Sequence, residues 1–566
     1  MKKLTRRDFL RTSALTGAAA ALAGAMPLAA SAAAASSEDE NCIDSVSTAV
    51  KSLKNTQPTT TSVVHLDKGY VMGYCERGIH SFRGIPYATH KRFKYAEPIA
   101  QYGTAENATV ALTNGSVSPQ SNTQTEYSNY FATAAFMTPS ESDLFTTESQ
   151  CLNLNVWTSS MDAGAKKPVL VFMHGGGLMN GSSLELKIYN GKYFADYTNC
   201  VFVSVNARLN YVGFLDLSSI GGDTNVGVAD MVLSLQWVRD NIAKFGGDPS
   251  NVTILGQSGG GTKVTALASA PAAQGLFSKI AYISGGTATG RSPEEAAANA
   301  QKLVDYVRAN VADLAKASGA EIFAYLQDLH YDTLVKHCEG AGVNYTLTTG
   351  SEYFASNFFD ANGNLNDIAA QYTYLTSAAW AELAPGNSAE AVLYGKPGEA
   401  KGNISEEERD RRMHEKLGGN YDRAKEAFAK AYPNHDFYDM RSLVTFAGRS
   451  MTANIAKRTT VYECVVAYEL PYFGGMTMIH TADIGFWFHS LDSVQYQIAG
   501  DEANAYALQD TMASALAAFC AAGDPSTRKL AWDPYTTANP RTMIFDTKSQ
   551  CKDSSFDDEL EQILNG

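Results

Sequence analysis

The chain has 566 residues, 45% of them hydrophobic and 18% charged, with a formal net charge of −14 at pH 7. That length and apolar fraction are enough to bury a large core. A polyanionic body repels nucleic acid and anionic membranes, so neither is expected as a partner.

The first 34 residues carry Lys2, Lys3, Arg6, Arg7 and Arg11 against Asp8, which leaves the remainder still more acidic. Thr5-Arg6-Arg7-Asp8-Phe9-Leu10 resembles a twin-arginine export signal, followed by an Ala/Gly/Leu stretch and a small-residue run in which Ala30-Ser31-Ala32 fits a cleavage site. The expected partner during secretion is therefore the Tat export machinery, and the expected destination is periplasmic, cell-surface or extracellular. Cys42 comes too late for a lipoprotein cysteine, and no other segment reaches the roughly 18 apolar residues of a membrane span. All eight cysteines lie beyond the signal, which permits disulfides without revealing their pairing. There is no C-x-x-C and no H-E-x-x-H, so no metal or redox cofactor is expected.

From residue 65 onward, short apolar or β-branched runs alternate with longer helical stretches, the pattern of a mostly parallel sheet covered by helices. Val169-Leu170-Val171-Phe172 precedes a glycine loop, and Val201 to Val205 precedes a turn. Val228 to Phe245 is helical by the spacing of Val232, Leu235, Val238 and Ile242. Val252 to Leu255 and Ile280 to Ile283 are further strands, and Tyr372 to Leu375 is another. The stretch 290–450 is helix-rich and charged, as in Glu406 to His414 and Tyr421 to Tyr432, and reads as an insertion.

Between the Val252 strand and helix-compatible sequence lies Gly256-Gln257-Ser258-Gly259-Gly260. A G-x-S-x-G turn between strand and helix is tight enough to need flanking glycines, and it lifts the serine hydroxyl to where a base and a substrate can reach it. Acyl transfer by serine also needs a base held by a carboxylate, and donors aimed at the developing oxyanion. His174-Gly175-Gly176-Gly177 directly follows a strand, and glycines without side chains let backbone N–H groups turn toward a substrate oxygen.

These motifs, in this order, resemble the type-B carboxylesterase family of α/β-hydrolases, which includes cholinesterases and para-nitrobenzyl-type esterases. The resemblance runs over roughly residues 65 to 545. Phe82-Arg83-Gly84-Ile85-Pro86-Tyr87-Ala88 is similar to the family's G-I-P-Y-A block, and Ser149 to Trp157 to its E-D-C-L-x-L-N block. Asn225 to Asp230 and Phe245-Gly246-Gly247-Asp248-Pro249 then lead into Asn251 to Ser258 with the family's spacing.

The resemblance implies an α/β-hydrolase fold, with residues 1–34 as export signal, 35–64 as an N-terminal segment and 65–566 as one catalytic domain whose 290–450 insertion covers the site. It implies Ser258 as nucleophile and Gly176, Gly177 and Gly259 as oxyanion donors. His480, in His480-Thr481-Ala482-Asp483-Ile484 after Gly474-Gly475, would be the base, with His489 the nearby competitor. Glu382, in Thr376-Ser377-Ala378-Ala379-Trp380-Ala381-Glu382, would be the carboxylate, with Glu352 the alternative. Leu178, Trp380 and Phe486 are candidate pocket residues, although the aromatic run from Phe486 to Phe488 reads equally well as core. Arg208 and Asp230 read as a buried structural pair.

The implied activity is hydrolysis of small-molecule carboxylic esters through an acyl-enzyme. An inactive esterase-like binding module, and an amidase or acyltransferase using the same triad, stay open. The chain departs from the family at Gln257, where Glu is usual, and at Gly259, where Ala is common. Cys151 is similar to one half of a family disulfide, with only Cys75 or Cys42 left to pair with it.

Overall fold

The computed structural model describes residues 60–120, 146–183, 185–382, 396–444 and 448–565. The expected export signal and Cys42 lie outside them.

Twelve strands define the frame: β1 (Thr60–Leu66), β2 (Gly69–Glu76), β3 (Ile79–Pro86), β4 (Asn153–Thr158), β5 (Lys167–Met173), β6 (Val201–Val205), β7 (Gly247–Gln257), β8 (Lys279–Ile283), β9 (Thr373–Ala379), β10 (Val461–Val466), β11 (Arg541–Phe545) and β12 (Gln550–Asp553). They run β1-β2-β3-β4-β6-β5-β7-β8-β9-β10-β11-β12 in a 13-stranded sheet completed by Thr109–Val110 beside β2. From β6 to β11 every pairing is parallel, while the strands at both ends pair antiparallel. This mostly parallel sheet with its strand order is that of the α/β-hydrolase fold.

The parallel strands are continuous apolar runs because helices cover both faces, leaving no solvent side to alternate toward. Thus all five residues of β6 are buried, as are Val171 and Phe172 of β5 and Ile254 and Leu255 of β7. Helix α1 (Val226–Asn241) buries Val232, Leu235 and Val238 as its spacing predicts, and a short 3-10 turn carries the chain on to Phe245. Helix α2 (Gly259–Ala268) begins at the residue after Ser258.

The helix-rich stretch from 290 to 450 is divided by β9, which lies in the sheet between β8 and β10. Before it come α3 (Pro293–Asn310), α4 (Gly319–Asp328) and α5 (Tyr331–Gly340), which share a separate apolar cluster of Leu303, Val307, Ile322 and Leu334. Both α3 and α4 open on a reciprocal capping box, Ser292 with Glu295 and Ser318 with Glu321, which pairs backbone N–H groups that the first turn would leave orphaned. After β9 come α6 (Glu406–Leu417) and α7 (Tyr421–Ala431), packed through Met413, Ala424 and Phe428 into the core that also holds α8 (Glu502–Ala522). Among the described residues no helix is long and apolar enough to cross a membrane.

Candidate active site

Ser258 stands at the carboxyl end of β7, in the middle of the sheet, with φ 56° and ψ −122°. A positive φ at a residue with a side chain costs of order 1–3 kcal/mol and persists only where the surroundings enforce it. Here Ser258 N–H donates to Ile283 O at the end of β8, and Ser258 O accepts from Gly261 N–H in the first turn of α2. The flanking glycines are imposed by packing. A Cβ at Gly256 would lie 2.0 Å from Gly260 O, and one at Gly260 would lie 2.0 Å from Met173 O.

The glycine loop leaves the end of the neighbouring β5. Gly176 and Gly177 have φ of +83° and +67°, and Gly176 O accepts from Met179 and Asn180 N–H, which turns the loop back over the elbow. The loop rests directly on the serine turn. A Cβ on Gly175 would meet Gln257 Oε1 at 2.7 Å, and one on Gly259 would meet Gly177 N at 2.2 Å. Glycine at 259, which has no Cβ to strike the Gly177 backbone, permits this approach.

Glu382 follows the end of β9, and His480 meets it from the long connection after β10. Glu382 sits three residues past β9 with φ 43°, and its Oε1 accepts from Ala379 N–H at 2.8 Å. Glu382 Oε2 lies 2.5 Å from His480 Nδ1, and His480 N–H donates to Glu382 O at 3.1 Å, so backbone and side chain both hold the pair. Burial alone would push the imidazole down, but the hydrogen bond and charge of Glu382 outweigh it and hold His480 above its ordinary value.

The other ring nitrogen, Nε2, lies 3.3 Å from Gln257 Nε2, whose amide also donates to Thr481 Oγ1 at 2.8 Å. With Nδ1–H given to Glu382, Nε2 is the acceptor of that contact. The ring thus stands beside the residue preceding Ser258, and among the described residues no hydrogen bond joins His480 to Ser258 Oγ. Asp483 is fully buried one turn beyond His480; Trp487 Nε1 donates to one of its oxygens and the other has no partner. Burial, reinforced by Glu382, pushes its carboxyl up to about 7.

The runners-up lie elsewhere. Glu352 is exposed, its backbone oxygen accepting from Ala272 N–H. His489 stacks on Tyr197 and bonds to Asp510 Oδ1 at 2.8 Å. Of the candidate pocket residues only Leu178 keeps partly exposed surface. Trp380 and Phe486 are both 0% exposed, and the correction has a packing cause. Trp380 donates to Asp439 O and is enclosed by His435, Tyr432 and Phe428, while Phe486 packs on Tyr468. Arg208 and Asp230 form a fully buried two-bond ion pair. Cys75 and Cys151 are both free thiols.

Sequence reading missed Thr481 and the groups behind the glycine loop. Lys263, on α2, is 2% exposed and its Nζ donates to His174 O at 2.9 Å. Burial pulls Lys263 down to about 7, opposed by Glu185, whose own carboxyl burial pushes up to about 7 against the pull of Lys263. Among the described residues one cluster has the donor set for a metal: His435, Asp439 and Glu469 bring ligand atoms within 4.8 Å of one another. Lys401 already fills it, with Nζ 2.8 Å from Asp439 and 2.9 Å from Glu469.

A serine on a strained strand-to-helix elbow, under a glycine loop and near a carboxylate-bound imidazole, resembles the site arrangement of α/β-hydrolases. Residues 60–562 match the model of the carboxylesterase family, and the chain belongs to that family. Residues 3–23 match the signal sequence of the twin-arginine translocation pathway, which marks the chain for export.

The chain is 35% identical over 264 residues to the para-nitrobenzyl esterase of Bacillus subtilis, covering 45% of this chain and 50% of that one. It is 36% identical over 228 residues to the phenmedipham hydrolase of Pseudarthrobacter oxydans, covering 38% and 42%. These matches span about half the length of the curated relatives or less. Among solved structures, an esterase from Clostridium hathewayi that can hydrolyze aliphatic aromatic polyesters superposes with a TM-score of 0.74 at 29% identity, covering 89% of this chain and 98% of that one.

Proposed function

We propose that the chain is an exported serine carboxylesterase in which Ser258 is the nucleophile, His480 the general base and Glu382 the carboxylate that orients it. Gly176, Gly177 and Gly259 supply the N–H groups that bind the oxyanion. The observation that carries this reading is the 2.5 Å contact between His480 Nδ1 and Glu382 Oε2, made beside the elbow that presents Ser258.

His480 Nε2 takes the Ser258 proton as Oγ attacks the ester carbonyl, and the carbonyl electron pair moves onto the oxygen held by the glycine N–H groups. Collapse expels the alcohol, which receives the proton from His480. Water then attacks the acyl-serine by the reverse sequence. In the resting arrangement the Gln257 amide occupies the Nε2 lone pair. That long bond, 3.3 Å, is the one the Ser258 hydroxyl replaces when substrate is engaged.

The substrate class is a small carboxylic ester. A fluorophosphonate probe should label the secreted protein, and Ser258→Ala should abolish the labelling. His480→Ala should lower kcat on p-nitrophenyl esters on the order of 10⁴-fold or more. Wild-type protein that never labels and never hydrolyses such esters would instead favour a binding module on the same fold, and turnover of anilides at comparable rates would favour an amidase.

A further inference from the structure

The oxyanion loop is held from behind by groups that the reaction itself does not touch. His174, its first residue, is 2% exposed and directs Nδ1 to Gly175 O at 2.9 Å. Gly175 O belongs to the same peptide unit as Gly176 N–H, one of the proposed oxyanion donors. A hydrogen bond to one end of a peptide polarises its other end and fixes the plane in which the N–H points.

Against His174 stands Lys263. Its Nζ donates to His174 O at 2.9 Å and lies close to both ring nitrogens, 3.3 Å from Nε2 and 3.4 Å from Nδ1, and both residues are buried. Burial, with Lys263 beside it, holds His174 well below its ordinary value and therefore neutral. In that state one ring nitrogen donates and the other accepts, so donation from Nδ1 to Gly175 O leaves Nε2 as the basic nitrogen beside the Lys263 amine. Lys263 is on α2, five residues after Ser258, so the helix that starts at the nucleophile also braces the loop opposite it.

We propose that Lys263 is a positioning residue for the oxyanion hole, clamping the His174 ring and carbonyl so that the Gly175–Gly176 peptide keeps its N–H aimed at the substrate oxygen. The inference rests on the esterase reading above and deepens it. Its test uses an alkyl trifluoromethyl ketone, which the site would capture as a hemiketal. Ser258 Oγ bonds to the ketone carbon, the carbonyl electron pair becomes an oxyanion in the glycine N–H groups, and the hydroxyl proton passes to His480.

In the full mature protein, Lys263→Met should weaken the ketone roughly tenfold and lower kcat on p-nitrophenyl acetate by a similar factor, with KM nearly unchanged. Loss of packing alone would lower the melting temperature and the active fraction, which leaves the ketone affinity of the remaining active sites as it was. If the methionine variant does not fold, Lys263→Gln keeps a donor for the His174 carbonyl and no charge, and the ketone should again bind more weakly. Wild-type ketone affinity in either folded variant overturns the proposal. A wild-type protein that neither turns over esters nor captures the ketone overturns the esterase reading itself, before any Lys263 variant is compared.

Discussion

At Gln257 a neutral amide faces the imidazole from 3.3 Å, where a carboxylate would add a negative charge next to the base. His480 is already held above its ordinary value by Glu382, and a general base works only in its neutral form. A second carboxylate would favour the imidazolium further. Gln257→Glu should therefore move the acid limb of the kcat/KM profile to higher pH, by up to about one unit. A limb that stays put or moves down would show that the amide does not sense the ring. Asp483 makes a second residue-scale case, with the sign set by burial. Its folded value of about 7 lies above the ordinary 3.8, so the folded state holds a proton that the unfolded state releases, and stability from this group falls as pH rises from about 4 to about 7. An asparagine cannot ionise. The melting temperature of Asp483→Asn relative to the parent should rise between pH 5 and pH 8, and a difference independent of pH would contradict the assignment.

Among the elements, the contact between the glycine loop and the start of α2 makes the strongest demand on one residue. The atoms a Cβ at 259 would strike are Gly177 N, Cα and O, all backbone and all within 2.4 Å, so no side chain can rotate aside. Gly259→Ala should push the loop off the elbow and lower kcat roughly tenfold to a hundredfold, with stability little changed; stopped-flow or steady-state kinetics on p-nitrophenyl acetate beside thermal melts would show it. Wild-type kcat in that variant would mean the loop yields without cost. This contact also marks the limit of what the sequence makes legible. The elbow and the glycine loop are readable because turn geometry demands particular residues at short range, whereas Glu382 and His480 are singled out by the resemblance to the family. Gln257 against His480, and Lys263 behind His174, join positions 223 and 89 residues apart, and no local pattern encodes them. Trp380, a candidate pocket residue from the sequence, is instead held in the helical core by its hydrogen bond to Asp439 O. Within the helix-rich stretch 290–450, by contrast, the run Tyr372 to Leu375 is readable as a strand, and β9 stands there.

For the whole molecule, the thiols offer a measure of how the fold is held. Cys151, Cys200, Cys338, Cys464 and Cys520 are free and buried, and Cys75 and Cys551 are free and half-buried. Burial pushes the thiols of Cys151, Cys464 and Cys520 far up and that of Cys338 up to about 12, so at neutral pH these are un-ionised and shielded, and only the thiolate reacts with alkylating agents. Cohesion of the described residues then rests on the sheet and its two flanking cores, with no crosslink among the described cysteines. A reducing agent should leave the melting temperature of the exported protein unchanged, since a native disulfide commonly contributes 2–5 kcal/mol and its loss would move the transition by several degrees. Maleimide followed by peptide mass mapping should modify Cys75 and Cys551 in the native state and reach the five buried thiols only as the chain unfolds in urea. A melting temperature that falls on reduction, or buried cysteines that resist labelling in urea until a reductant is added, would mean that oxidation after export has joined thiols that are free in this fold, with the neighbouring Cys200 and Cys520 the first pair to examine.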